Sequence, residues 1–203
     1  MFDLPKASEI RKVLHKKLIY EKQAVELSGN KKEKFDADIS RIVITNEISE
    51  ASVHVKATEK ILAIFVVQVE LKRKEYDDKS IIMISKIFGQ KLLIVLHYEK
   101  LYQLAIYETR LLKSNWKKED ELSLRLSGLD LESIWNNLVM QVSGIKVQEG
   151  NTLVEQINIE AEKEKLRKKI SELEIKARKE VQSKKKFEIV QKINQYKERL
   201  KDI

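Results

Sequence analysis

Apolar and polar residues follow two different patterns along residues 31–127. Apolar residues three and four positions apart are typical of one face of a helix, whereas short runs of β-branched residues are typical of strands. On these criteria we predict helices over residues 32–42 and 81–88, and strands over residues 43–45, 53–55, 61–72, 91–98, 101–111 and 122–126. This order predicts an α/β or α+β domain with a central mixed sheet flanked by helices.

Two of the predicted strands differ in their expected burial. Residues 61–72 form the longest apolar run, rich in valine and isoleucine, which predicts a central strand that is buried on both faces. Residues 101–111 alternate more regularly, with Tyr102, Leu104 and Ile106 on one side. This alternation predicts a strand with one solvated face.

Helical spacing takes over after residue 128. We predict an amphipathic helix from Leu131 to Val142 that packs back on the sheet. Beyond Gly150, a narrow apolar stripe close to heptad spacing runs from Leu166 to Val181 and resumes after an interruption at residues 183–186. The residues of this stripe that we predict to make an interaction surface are Leu166, Ile170, Leu173, Ile189, Ile193, Tyr196 and Leu200.

A helix with so narrow an apolar stripe needs a partner that covers it. One interpretation is a helical hairpin or coiled-coil arm that packs on itself, on a second copy or on another subunit. The other, of equal weight, is one long C-terminal helix. We therefore predict two regions, an α/β domain over residues 1–149 and a basic helical arm over residues 150–203.

Most of the positive charge lies in the predicted arm. Residues 150–203 contain 15 Lys and Arg and 10 Asp and Glu, so they carry +5 of the net charge of +8. Acids are interspersed with bases over residues 160–180, which is typical of a solvated coiled-coil flank with internal ion pairs. Fewer acids surround the next basic stretch. The residues that we predict to contact nucleic-acid phosphates are Arg178, Lys179, Lys184, Lys185 and Lys186.

Composition excludes or disfavours several classes of function. The chain has no cysteine, which excludes disulfides, thiolate metal sites and cysteine nucleophiles. Its five glycines form no phosphate-binding motif, and His15, His54 and His97 do not lie at metal-ligand spacing, so we predict no metal site and no cofactor. The first residues lack the features of a signal peptide, and no apolar run approaches the roughly 20 residues of a membrane-spanning helix. We expect a cytoplasmic protein that does not contact a membrane.

One short stretch, Glu70-Leu71-Lys72, carries a catalytic pattern. Alternation along a strand places Glu70 and Lys72 on one face. Nucleases of the PD-(D/E)xK type use such a pair, binding Mg²⁺ between an Asp and the Glu while the Lys orients the attacking water. The Pro-Asp that supplies the first acid is absent here, and the acids ahead of the motif that could replace it are Glu59, Glu50, Asp36 and Asp38. The structural alternative is that a buried strand ends in charged residues where it meets water.

Three stretches of the chain resemble a known family. They are MFDLPK at residues 1–6, VQVELK at residues 67–72 and ARKEVQSKKKFEIVQKI at residues 177–193. Together they resemble, over nearly the whole chain, a prokaryotic family designated domain of unknown function 4391. The resemblance implies no established activity and implies occurrence beside helicases and DNA methyltransferases of restriction or antiphage loci. It also implies that a full set of nuclease acids is not a hallmark of the family.

Three hypotheses follow from the sequence. The first is a non-enzymatic accessory subunit of a prokaryotic DNA-processing system, of the restriction or antiphage-defence type, that docks a larger partner such as a helicase or DNA methyltransferase and touches DNA backbone through its basic arm. The second is a Mg²⁺-dependent PD-(D/E)xK nuclease centred on Glu70 and Lys72, with Glu59 as the further acid. The third is a protein-interaction scaffold that forms a homodimer through its coiled coil. An alternative for the fold is that the sheet is a degenerate restriction-endonuclease-like core.

Overall fold

The computed structural model describes residues 2–24, 27 and 29–203. It contains two compact units, a sheet unit that ends at Gly144 and a helical unit from Ile145 to Ile203. The helices are α1 Lys16–Lys22, α2 Asn30–Asp38, α3 Glu50–Val53, α4 Asp78–Ser85, α5 Leu131–Ser143, α6 Leu153–Lys179 and α7 Ser183–Asp202. The strands are β1 Glu9–Val13, β2 Ile39–Ser49, β3 Ala63–Leu71, β4 Lys91–Tyr98, β5 Leu101–Tyr107 and β6 Leu111–Lys113. No helix within the described ranges is long and apolar enough to cross a membrane.

The six strands pair in chain order in one mixed sheet. β1, β2 and β3 form an antiparallel meander, and β4 lies parallel to β3. Parallel strands need a crossover connection, which contains α4. β5 and β6 extend the sheet beyond β4 in antiparallel fashion, so β3 and β4 lie at its centre. The predicted fold class, a mixed sheet flanked by helices, is confirmed.

Three helices cover one face of the sheet. Ile19 of α1, Phe35 of α2 and Ile84 of α4 are fully buried and belong to one apolar cluster. The strand residues of the same cluster include Val69 and Leu96. The buried side chains of this cluster are all apolar, and the three helices cover them. This face of the sheet is therefore the core of the sheet unit.

Helix α5 covers part of the opposite face. The indole of Trp135 donates a hydrogen bond to the Glu108 carboxylate, which also accepts one from Lys91 Nζ at 2.5 Å. Lys91 begins β4, and side chains alternate along a strand, so α5 lies on the face to which Leu93, Val95 and the other odd-numbered residues of β4 point. The helix contacts β3, β5 and β6. The predicted amphipathic helix therefore packs on the sheet as expected.

Strand β5 does not have the solvated face that alternation predicts. All five of its inner residues, 102–106, are buried. The prediction is wrong because α5 contacts β5 on one face while α4 contacts it on the other. A regular alternation along one strand does not reveal a helix that arrives from elsewhere in the chain.

Two predicted strands are also wrong. Val53 ends the short helix α3, and His54 turns the chain with a left-handed backbone at φ +54°. Ser52 Oγ closes this turn by donating to the Glu47 carbonyl at 2.8 Å, a local bond that competes with strand pairing. Residues 122–126 bury Leu122 and Leu124 without forming a strand.

The C-terminal stripe closes on itself. Helices α6 and α7 form a hairpin joined by residues 180–182. Its buried centre is Ile170, Ala177 and Ile193, and the residues packed around it are Leu173, Ile189, Tyr196 and Leu200. The ion pairs Glu174–Lys197 at 2.9 Å and Glu162–Arg199 at 3.1 Å connect the two helices. The hairpin prediction is confirmed, and the alternative of one long helix is wrong.

The break between the helices comes earlier than the interruption in the pattern indicates. Helix α6 ends at Lys179, because Glu180 adopts an extended backbone. Val181, which the spacing places on the stripe, is therefore in the loop and 92% exposed. Ser183 already begins α7, so the lysines at 184–186 are helical.

Replacing Ile193 tests the packing of the hairpin. Ile193→Ala should lower the free energy of unfolding of the helical unit by about 2–4 kcal/mol, because a buried aliphatic side chain leaves a cavity. Val190→Ala, on the exposed side of the same helix, should change it by less than about 0.5 kcal/mol. Urea denaturation followed by far-ultraviolet circular dichroism measures both, and equal effects would contradict a packed hairpin.

Candidate functional site

A row of polar side chains crosses the sheet where β3 ends. Glu70 pairs with Arg41 of β2 on one side and with His97 of β4 on the other. His97 pairs in turn with Tyr102 of β5. Because residues aligned across neighbouring strands project from the same face, the four side chains form a continuous row on the α5 side of the sheet.

The row borders a cleft of about 290 Å³ over β1, β2 and β3. Its lining residues are Glu9, Arg11, Val13, Arg41, Val43, Thr45, Asn46, Gln68 and Glu70. The two arginines and two glutamates balance in charge, and Arg11 lies 4.0 Å from Glu9. Sequence reasoning missed Glu9, Arg11 and Arg41, because strand register rather than any local motif brings them beside Glu70.

The acid that the nuclease hypothesis pairs with Glu70 does not lie beside it. The residue opposite it on β2 is Arg41, a cation. Glu59 precedes the start of β3, whereas Glu70 lies near its end. The seven residue steps from Ala63 to Glu70 alone span roughly 23 Å of strand. Glu59 and Glu70 therefore cannot hold the same metal ion in this fold.

Lys72 is occupied by the end of α2. Its backbone N–H donates to the Asp38 carbonyl at 2.8 Å, and its Nζ donates to the Asp36 carbonyl at 2.7 Å. The last carbonyls of a helix have no intrahelical partner, so these bonds complete α2. No ion pair between Lys72 and Glu70 occurs among the described residues.

The two acids of α2 also have structural partners. Asp38 is fully buried, pairs with the Arg73 guanidinium and accepts from the Asp77 backbone N–H at 2.9 Å. Burial alone would raise the pKa of Asp36, but hydrogen bonds from Tyr20 and Lys16 hold that pKa below its ordinary value. Both carboxylates thus fasten α2 within the sheet unit.

The other end of the polar row is an aromatic pair. The rings of His97 and Tyr102 stack with centroids 4.4 Å apart. Burial, and then the charge and hydrogen bond of Glu119, raise the pKa of Tyr102 above its ordinary value, with a smaller effect from Glu70. The phenol therefore stays protonated as a hydrogen-bond donor. His97, for which the sequence predicts no role, lies between this donor and Glu70.

The nuclease residues are consequently not assembled. Of Glu70, Lys72 and Glu59, none contacts another within the described chain. Residues 2–24, 27 and 29–203 contain no group of three or more His, Asp and Glu side chains placed to hold a metal ion. What the polar row offers is a set of hydrogen-bonding groups across the sheet, exposed at Arg41 and buried at Tyr102.

A cleavage assay tests this conclusion. Purified protein incubated with plasmid and Mg²⁺ or Mn²⁺ should produce no cleavage that Glu70→Ala removes, because the described residues contain no group of three or more His, Asp and Glu side chains placed to hold a metal ion. Gel electrophoresis of the plasmid reports the result. Cleavage by the wild type that disappears in Glu70→Ala would contradict it.

The second candidate site is the turn of the hairpin. The cations Arg178, Lys179, Lys184, Lys185 and Lys186 flank the loop 180–182, and we call them the basic turn. All five are exposed. Within the described chain the four lysines have no ion pair within 4.0 Å, although Lys197 and Arg199 farther along the hairpin do. The turn therefore concentrates lysines that no close ion pair neutralises within the described chain.

The two helix ends at this turn differ in how they accommodate that charge. Arg178 and Lys179 lie in the last turn of α6, where the helix dipole favours cations. Lys184, Lys185 and Lys186 lie at the start of α7, where the dipole favours anions. This start has no acid in its first turn and no side-chain cap. An anion bound here would meet both the lysines and unpaired backbone N–H groups.

The residues predicted as an interaction surface lie inside the hairpin. Six of them, all except Leu166, form or surround its apolar centre. Leu166 is buried as well, at 1% exposure. The structure therefore brings these residues together within one chain.

Comparison with known proteins assigns this chain to a family but assigns no activity. Residues 2–200 match the family model described as Domain of unknown function (DUF4391). No curated protein and no solved structure matches the chain significantly. Since the matched residues span nearly the whole sequence, the chain belongs to the DUF4391 family.

Proposed function

We propose that the chain is a non-enzymatic accessory subunit of a prokaryotic DNA-processing system, of the restriction or antiphage-defence type. It docks a larger partner, such as a helicase or DNA methyltransferase, and contacts the DNA backbone through the basic turn. The observation that carries the proposal is the set of exposed lysines at the turn that make no ion pair in the described chain. A polyanion supplies a counter-charge for them.

The distribution of ion pairs supports a nucleic-acid contact at the turn. Along the hairpin, Lys163, Lys165, Lys197 and Arg199 pair with glutamates of the same unit. In contrast, the lysines of the basic turn make no ion pair within the described chain. Lysine contacts to phosphates depend on charge and carry little sequence information, so the proposed contact is sequence-indifferent.

The sheet unit supports the docking role. Its first strand, β1, lies at the edge of the sheet, and all five of its residues are exposed. Ile10 and Val13 of this strand are 43% and 41% exposed, respectively. An exposed edge strand with apolar side chains is a surface to which another chain can add a strand.

The contact is tested by the salt dependence of DNA binding. The triple variant Lys184→Glu, Lys185→Glu, Lys186→Glu should weaken binding to a duplex oligonucleotide at least about tenfold and reduce the slope of log K against log salt by about 2 to 3. Fluorescence anisotropy at several salt concentrations measures both quantities. Glutamates suit the start of α7, so the variant should unfold no more easily than the wild type.

A matched variant makes the same change of charge elsewhere. Lys31, Lys34 and Lys100 are exposed residues of the sheet unit, and the triple change to glutamate at these positions should alter the affinity less than about threefold, because screened charges act over a short range. Equal losses in the two triple variants would show a general charge effect. Binding that ignored both salt and the turn lysines would overturn the proposal.

A further inference from the structure

Helix α7 carries an exposed stripe opposite its buried one. The side chains of Lys184, Phe187, Gln191 and Asn194 follow one another at spacings of three, four and three, which places them on one face. All four are exposed, while Ile193 and its neighbours on the other face pack against α6. The hairpin therefore presents a defined surface that its own packing does not use.

The stripe carries an exposed aromatic ring, that of Phe187. Phe187 is 63% exposed and takes part in no ring stacking or cation–π contact within the described chain. Val190, one turn along, is 39% exposed, and Val181 in the loop is 92% exposed. An apolar ring in water costs free energy that packing against a partner would recover.

The charges around the ring select the kind of partner. Lys184 lies one turn before Phe187 on the same face, and Lys185 and Lys186 follow Lys184 at the start of α7. Glu188 is the one acid between residues 183 and 197. The positions that follow the ring on its face are the amides Gln191 and Asn194, which can both donate and accept hydrogen bonds. A ring and amides next to concentrated lysines complement a polyanion that also offers flat apolar faces.

We propose that the exposed face at the start of α7 binds single-stranded nucleic acid, with an unpaired base stacked on Phe187 and the flanking phosphates held by the lysines of the basic turn. The proposal rests on the proposed function and specifies its ligand. A duplex buries the faces of its bases against their neighbours, whereas a single strand exposes them. Aromatic side chains within a basic groove are the usual means of binding single strands regardless of sequence.

Paired binding measurements test the proposal. Phe187→Ala should weaken binding to a labelled single-stranded oligonucleotide by roughly 5- to 100-fold, the loss expected for one stacked base. Binding to the duplex of the same sequence should change less than about threefold. Val190→Ala, which removes apolar area from the same helix but no ring, should leave both affinities near those of the wild type. Since no charge is removed, Phe187→Ala should keep the wild-type salt slope.

Phe187→Trp gives a readout that a purely electrostatic contact would not move. The emission of the new indole, measured against the wild-type background from Trp116 and Trp135, should be quenched when the single strand is added and should change little with duplex. Unchanged emission with bound single strand would place the base elsewhere and overturn the proposal.

The outcomes separate this inference from the function on which it rests. Loss of single-strand binding in Phe187→Ala with duplex binding retained supports the inference. Wild-type single-strand binding by Phe187→Ala, combined with loss in the lysine triple variant, overturns the inference and leaves the proposed function standing. Equal losses for single strand and duplex would overturn the inference, because the faces of the bases in a duplex are closed to the ring. Absence of binding by the wild type would overturn both the inference and the proposed function.

Discussion

The buried apolar centre of the hairpin determines where the basic residues of α6 and α7 come together. Ile170, Ala177 and Ile193 bury against one another, and this packing holds the two helices together as a hairpin. The short connection at residues 180–182 then forces the cations from the end of α6 and the start of α7 to one turn. The basic turn thus follows from a hydrophobic constraint rather than from charge itself.

In the sheet unit, strand register gives Glu70 and Lys72 a different role from the one that their spacing in the sequence suggests. Glu70 and Lys72 look like a catalytic pair along the chain, yet pairing places Arg41 opposite Glu70, and Lys72 completes the end of α2. In the polar row that results, the charges of Arg41 and Glu70 balance, and exposure falls from Arg41 to the buried Tyr102. Such a surface suits reversible contact better than metal binding, which needs several carboxylates at one point. The proposed division of labour gives docking to the sheet unit and nucleic acid to the hairpin.

Apolar patterns predicted the elements whose own residues show a clear period or a continuous apolar run. The spacing of Leu131 to Val142 indicated α5, and the continuous run at residues 91–98 coincides with β4. The errors arose where an interaction outside the apolar pattern decides the outcome, as with the α5 contact on β5 or the bond of Ser52 to the Glu47 carbonyl. The cleft was not foreseeable for the same reason, because Glu9, Arg41 and Glu70 meet through strand pairing alone. The basic turn was predicted because its residues are neighbours in sequence.

Hydrogen exchange with and without a single-stranded oligonucleotide tests the central claim most directly, since it locates the nucleic acid on the protein. The account predicts slower backbone exchange over residues 178–195, where free N–H groups begin α7, and unchanged exchange in β2, β3 and β4 around Glu70. Protection centred on the polar row, with none at the turn, would contradict it.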